Sequence, residues 1–160
     1  MSIKFINTPS PIGNFVNVRI TNSYAYISGQ GAFDDNGVTA SCIVDNEGEK
    51  FLYYIGWKPR STTRFGLMTG LAISDDGGET FRRYSRAPIL KLTDREPYWI
   101  LTAPFVLKDE SDWKMWYVSC EGWIHADLPT YNIKLATSND GINWEQTGKV
   151  CLDFIDYQYR

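Results

Sequence analysis

Residues 39–54, TASCIVDNEGEKFLYY, and residues 102–117, TAPFVLKDESDWKMWY, superpose without a gap at an offset of 63 residues. Thr39 falls on Thr102, Ala40 on Ala103, Ile43 on Val106, Leu52 on Met115 and Tyr54 on Tyr117. Each stretch puts a β-rich run, a polar turn and a second β-rich run in series, the pattern of a hairpin. A second correspondence follows downstream. GLAISDDGGETF (70–81) and KLATSNDGINW (134–144) align Leu71 with Leu135, Ala72 with Ala136, Ser74 with Ser138, Asp76 with Asp140, Gly78 with Gly141 and Phe81 with Trp144. Each unit therefore holds two hairpins, and four-stranded units repeated along a chain read as propeller blades.

No amphipathic helix of ten or more residues is visible, and Gly and Pro interrupt the chain too often for one. The expected fold is all-β: a partial β-propeller of two to three four-stranded antiparallel blades, forming one domain over residues 1–160. Within it, residues 1–37 are expected to form an incomplete blade or a hairpin, built on FVNVRITNSYAYIS (15–28). Residues 38–92 and 101–154 are expected to form one blade each. The Ser-x-Asp-x-Gly-x-Thr-Phe stretch joins the third and fourth strands of a blade. Asp76 can accept backbone N–H bonds there, Gly78 can take positive φ, and Phe81 or Trp144 can plug the layer between blades. This turn reads as scaffold.

Composition bounds the rest. In 160 residues, 43% hydrophobic and 22% charged, the chain has the make-up of an ordinary globular domain. No run of about 20 apolar residues is available to span a bilayer. The start, MSIKFINTPSPIGNF, lacks the basic and apolar parts of a secretory signal, so a cytoplasmic location is expected. Sixteen basic residues against nineteen acidic ones give no electrostatic reason for a nucleic-acid or membrane partner. Cys42, Cys120 and Cys151 have no CxxC spacing and suit reduced thiols buried in strands; neither a metal site nor a cofactor is expected. The aromatic share of 15%, with six Trp, suits both strand packing and sugar stacking.

Unusual polar groups gather at one end of the predicted blades, where first strands begin and second-to-third-strand loops lie. FDDNG supplies Asp34 and Asp35, and DREPYW supplies Asp94, Arg95, Glu96 and Tyr98. GWKPRSTTRF and CEGWIHADLPTY add Trp57, Arg60, Arg64, Glu121, Trp123 and His125. Carboxylates, arginines and tryptophans converging at one mouth describe a carbohydrate site, with indole faces stacking on sugar rings and charged groups bonding hydroxyls. Plainer readings stand beside these. Asp-Asp-Asn-Gly is also a β-turn, Glu96 before Pro97 is also an exposed loop charge, and Trp57 and Trp123 are also packing residues. His125, the only histidine, has no nucleophile motif near it and reads as an exposed loop residue.

FDDNGVTASCIVDNEGEKFLYYIGW, APFVLKDESDWKMWYVSCEGW and LATSNDGINW resemble blades of the five-bladed β-propeller glycosidase superfamily of arabinanases, invertases, levansucrases and mannoside phosphorylases. They are most like an uncharacterised bacterial glycosidase-like branch. The resemblance covers about residues 30–154 and implies catalysis by paired carboxylates. On that basis Asp35 is the expected base or nucleophile, Glu96 or Glu121 the general acid, and Asp34 an orienting group. Asp34, Trp57, Arg64, Arg95, Tyr98, Trp123 and His125 would then contact a carbohydrate. A five-bladed ring needs on the order of 300 residues at this repeat length. The resemblance therefore implies either a homo-oligomer completing the propeller or a fragment of a longer chain. The functional expectation is glycoside hydrolase-like action on a glycosidic bond; the alternative is a non-catalytic carbohydrate-binding or assembly module.

Overall fold

The computed structural model describes residues 18–21, 24–27, 32–110 and 112–153, and no helix occurs among them. An N-terminal hairpin pairs β1 (Val18–Thr21) with β2 (Tyr24–Ile27). The strands β3 (Val38–Asn46), β4 (Glu49–Pro59), β5 (Phe65–Ser74) and β6 (Arg82–Arg83) form one antiparallel meander. A second follows in β7 (Ile100–Asp109), β8 (Asp112–His125), β9 (Leu128–Ser138) and β10 (Glu145–Leu152). Across both units the strand order is β10-β9-β8-β7-β5-β4-β3, with β6 on the edge of β5. The units meet through a short parallel pairing, Leu67 with Ile100 and Met68 with Leu101. This is a partial β-propeller, and its strands fall on the sequence repeat.

Registers explain why the repeat persists. Both first strands carry a bulge at the same repeat position, between Ala40 and Cys42 in β3 and between Thr102 and Phe105 in β7. A bulge bends its strand and sharpens the local twist. Ala103 takes φ +48° there, and the Ser41 hydroxyl donates 2.7 Å to the Pro104 carbonyl, tying the two bulges together.

The core lies between the units. Phe51 stacks on Trp113 at 5.8 Å, and Tyr53 meets the Trp144 ring edge-on at 6.1 Å. The Tyr53 hydroxyl donates 2.7 Å to the Gly141 carbonyl, and Thr69 donates 2.9 Å to Leu101. Because side chains alternate along a strand, the opposite face of β4 and β5 carries Leu52, Tyr54, Gly56 and Gly70. Phe33 fills that face, stacking on Tyr54 at 5.8 Å; a Cβ at Gly56 or Gly70 would stand inside its ring.

The repeated turns are scaffold in their bonding. Ser74 donates to Asp76 at 2.6 Å, and Asp76 accepts the Thr80 N–H at 3.0 Å and the Thr80 hydroxyl at 2.6 Å. In the second unit Asp140 accepts from Ser138, Ile142 and both Asn143 donors. Hydroxyls of Ser74 and Thr80 hold the Asp76 carboxyl well below the usual carboxylate range. At Asp140 burial pulls upward, but the Asn143, Ile142 and Ser138 donors outweigh it and hold the group at about 2.

Cys42 is half-buried and Cys120 buried, with burial raising both thiols, whereas Cys151 is exposed on β10 and so departs from the expectation of a strand-buried thiol. Among the described residues no helix is long and apolar enough to cross a membrane. The expectation for the end of the chain lies outside the described residues beyond Asp153.

Candidate functional site

At the end where β4 turns into β5 and β8 into β9, the two loops are joined. The Arg64 N–H donates 2.9 Å to the Ala126 carbonyl. That bond aligns an aromatic strip, Trp57 to Phe65 at 5.5 Å and Phe65 to Trp123 at 5.6 Å, contributed by both units. Trp57 is 37% exposed and Trp123 half-buried, so the strip is open to solvent along its length. The Asp34–Gly37 turn closes over its near end, with Asn36 N–H donating to Trp57 O and Trp57 N–H to Gly37 O, both at 3.0 Å. This turn places Asp35 beside Lys58, whose ammonium sits 3.3 Å from the carboxylate and 3.0 Å from the Ala32 carbonyl. The Arg60 guanidinium lies 4.1 Å over the Trp99 ring.

Asp34 and Glu96 are elsewhere. Asp34 turns inward, its side chain 5% exposed, accepting from the Tyr54 hydroxyl at 3.0 Å and from Arg83 Nε at 2.6 Å. Glu96 is 2% exposed, which excludes its reading as an exposed loop charge. Its oxygens accept from Tyr117 at 3.0 Å, Ser119 at 2.6 Å and Gln146 at 2.7 Å, with Lys134 Nζ 3.7 Å away. The two carboxylates hold corresponding places: they stand 62 residues apart, while their partners Tyr54 and Tyr117, and Arg83 and Gln146, stand 63 apart. Burial, with the neighbouring carboxylate second, raises both hydroxyls, Tyr54 to about 12 and Tyr117 further. Each hydroxyl therefore stays protonated and donating.

Lys134 connects interior to surface. Its ammonium, nearly buried, lies 2.8 Å from Glu121, whose side chain is 42% exposed. Glu121, on the strand that carries Trp123, is thus the partly open carboxylate on Lys134, and Glu96 its buried counterpart. The remaining expected residues diverge. Arg95 runs alongside Gly148 in β10, while Tyr98 is 39% exposed next to Trp99. His125 is exposed and accepts the Asp127 N–H at its Nδ1.

The structure therefore brings together Asp35, Trp57, Trp123 and Arg64. Phe65, Lys58 and Lys134 were not legible as site residues. Lys134 had one signal, since it falls where the first unit has Gly70, a charge replacing a glycine in an otherwise apolar alignment. No group of three or more His, Cys, Asp or Glu side chains suited to a metal ion occurs among the described residues.

No protein-family model matches the chain. An uncharacterised Mycobacterium tuberculosis protein, present in two strains, is 37% identical over 125 residues, covering 78% of this chain and 41% of its own length. The chain thus spans about two fifths of the curated relatives it matches. Among solved structures it is similar to a GH32 β-fructofuranosidase of Bombyx mori, with TM-score 0.56 and 24% identity over 68% of this chain and 22% of that one. A glycosyl hydrolase of Bacteroides ovatus gives TM-score 0.52 at 18% identity, covering 69% and 31%. A structure from the GH130 mannoside phosphorylase family, described with hydrolases that target β-1,2-mannosidic linkages in Candida mannan, gives 0.53 at 16%, covering 69% and 31%. The fold is that of glycosidase propellers.

Proposed function

We propose that this chain supplies the carbohydrate-contacting part of a glycosidase-like propeller, and that with the remaining blades present it acts on a glycosidic bond. The observation that carries this reading is the solvent-open strip Trp57–Phe65–Trp123 beside the Asp35–Lys58 pair. Sugar rings present apolar C–H faces to indoles and hydroxyls to charged groups, and the strip offers both at adjacent positions. Asp35 serves as base or nucleophile and the partly exposed Glu121 as general acid, since the bonds to Tyr117, Ser119 and Gln146 occupy Glu96. We place the chain with the uncharacterised bacterial branch represented by the mycobacterial relative, and the missing blades come from a second copy or from a longer protein.

The second reading is a binding module without catalysis. It is favoured by the burial of Glu96 and by the ion pair that occupies Asp35. Calorimetric titration with sucrose and β-1,2-mannobiose, with product analysis, separates the two. Trp57→Ala and Trp123→Ala are expected to weaken sugar binding about tenfold each, and Asp35→Asn to abolish turnover while leaving binding. Binding without turnover in the wild type assembled with its remaining blades assigns the module reading. No binding by either sugar overturns both.

A further inference from the structure

Away from the strip, the seam between the units opens into a groove of about 390 Å³. One wall is the segment after β6, with Tyr84 and Pro88; the other is the β9–β10 turn, with Asn143, Trp144 and Glu145; Lys91 stands at the rim. Both walls are fixed by bonds that do not use the groove. The Tyr84 N–H donates to Leu71 O and the Ile89 N–H to Thr69 O, both at 2.9 Å, so the first wall is pinned to β5. The Trp144 indole N–H donates 3.1 Å to Gly141 O, and the Asn143 amide donates 2.8 Å to Asp140. The Lys91 N–H donates 2.8 Å to Gln146. The groove is therefore preorganised, and its volume is that of a small-molecule site.

We propose that this groove is a second carbohydrate-binding site, taking one or two pyranose or furanose units of a neutral saccharide. Tyr84 is 51% exposed, so its ring is free to stack, and Trp144 and Pro88 add apolar surface. Lys91, Glu145 and the carbonyl of Asn143 provide donors and acceptors for hydroxyls. One cationic and one anionic side chain leave the rim without a net charge, which suits a neutral polyol better than an ion. A proline-rich peptide also stacks on paired aromatics. It needs a donor for each of its successive carbonyls, however. With the Trp144 indole N–H committed to Gly141 and the Asn143 amide to Asp140, only Lys91 and the Tyr84 hydroxyl remain of these wall and rim donors, while Glu145 would face carbonyls it cannot bond. This site stands independently of the aromatic strip.

Amide and indole NMR shifts of the full chain report the site directly, with sucrose, β-1,2-mannobiose and a decaproline peptide as probes. The expected result with a sugar is shifts at residues 84–91 and 142–145 and at the Trp144 indole N–H, at sugar concentrations up to about 10 mM. Tyr84→Ala and, separately, Glu145→Gln are expected to weaken that response about tenfold, while Trp57→Ala leaves it unchanged. Both substituted groove residues are exposed, so loss of fold does not confound the pair. Sugar shifts confined to Trp57, Phe65 and Trp123 would overturn the groove and leave the strip standing. Decaproline binding without sugar binding, no shifts at all, or undiminished affinity in both groove variants would overturn it equally.

Discussion

Glu96 shows how one carboxylate serves as an internal anchor. Four side chains from three strands converge on it, and removing the carboxylate altogether leaves the donors from Tyr117, Ser119 and Gln146 without their acceptor and Lys134 with Glu121 alone. Breaking a buried pair of this kind costs about 3–5 kcal/mol. Glu96→Gln retains one acceptor and leaves Lys134 its pair with Glu121, so the expected loss is about 2–3 kcal/mol, read from urea unfolding. Asp140 titrates in the opposite regime from the tyrosines. Its folded value near 2 lies below the ordinary carboxylate value, so the turn's contribution is present at neutral pH and is lost as pH falls through about 4 towards 2. Asp140→Asn is expected to flatten the acid limb of stability against pH, whereas Lys91→Ala leaves it unchanged. The sequence marked Asp140 through its repeat with Asp76, because a turn's chemistry is local. Glu96 was not legible as buried, because its partners Tyr117, Lys134 and Gln146 are remote in sequence and a carboxylate before proline ordinarily faces water.

At the scale of elements, the repeat predicted strands well because alternation and turn residues act over four to eight positions. It did not reveal which face of each strand is turned inward. Gly56 and Gly70 decide this in the first unit, giving Phe33 space that Ser119 and Lys134 occupy with polar groups in the second. A methyl at position 70 would enter the Tyr54 and Phe33 rings, so Gly70→Ala is expected to cost about 1–3 kcal/mol. At Gly122 the nearest atom to an added Cβ is the Thr130 hydroxyl at 3.9 Å, and Gly122→Ala is expected to change the urea midpoint little. The same logic limits what the sequence disclosed of the candidate site. Trp57 and Trp123 could be named from the sequence because both fall in the loops at the predicted mouth, but Phe65 joins them only because the Arg64 to Ala126 bond brings loops from two units into register.

For the whole molecule, the interface already present between the units defines what each open face is shaped to meet. Phe105 and Leu107 share a face with Trp116 through their pairing with β8, and they are 56% and 50% exposed. Their repeat counterparts in the first unit, Cys42 and Val44, are partly covered and pack against the inter-unit core. On the opposite side of the molecule Val38 and Ile43, each 55% exposed, share the face that carries Tyr54 and Gly56. The unused face of the second unit is thus the counterpart of one that the first unit buries, and a second copy can meet it head to tail. Such heterologous contacts close into rings when the rotation allows. Light scattering behind a sizing column, over a hundredfold range of concentration, is expected to show a discrete dimer or trimer. Phe105→Glu, which places an unpaired charge in the joint, is expected to return the protein to a monomer with unchanged circular dichroism. A wild-type monomer at every concentration would exclude closure by copies and assign the missing blades to a longer protein.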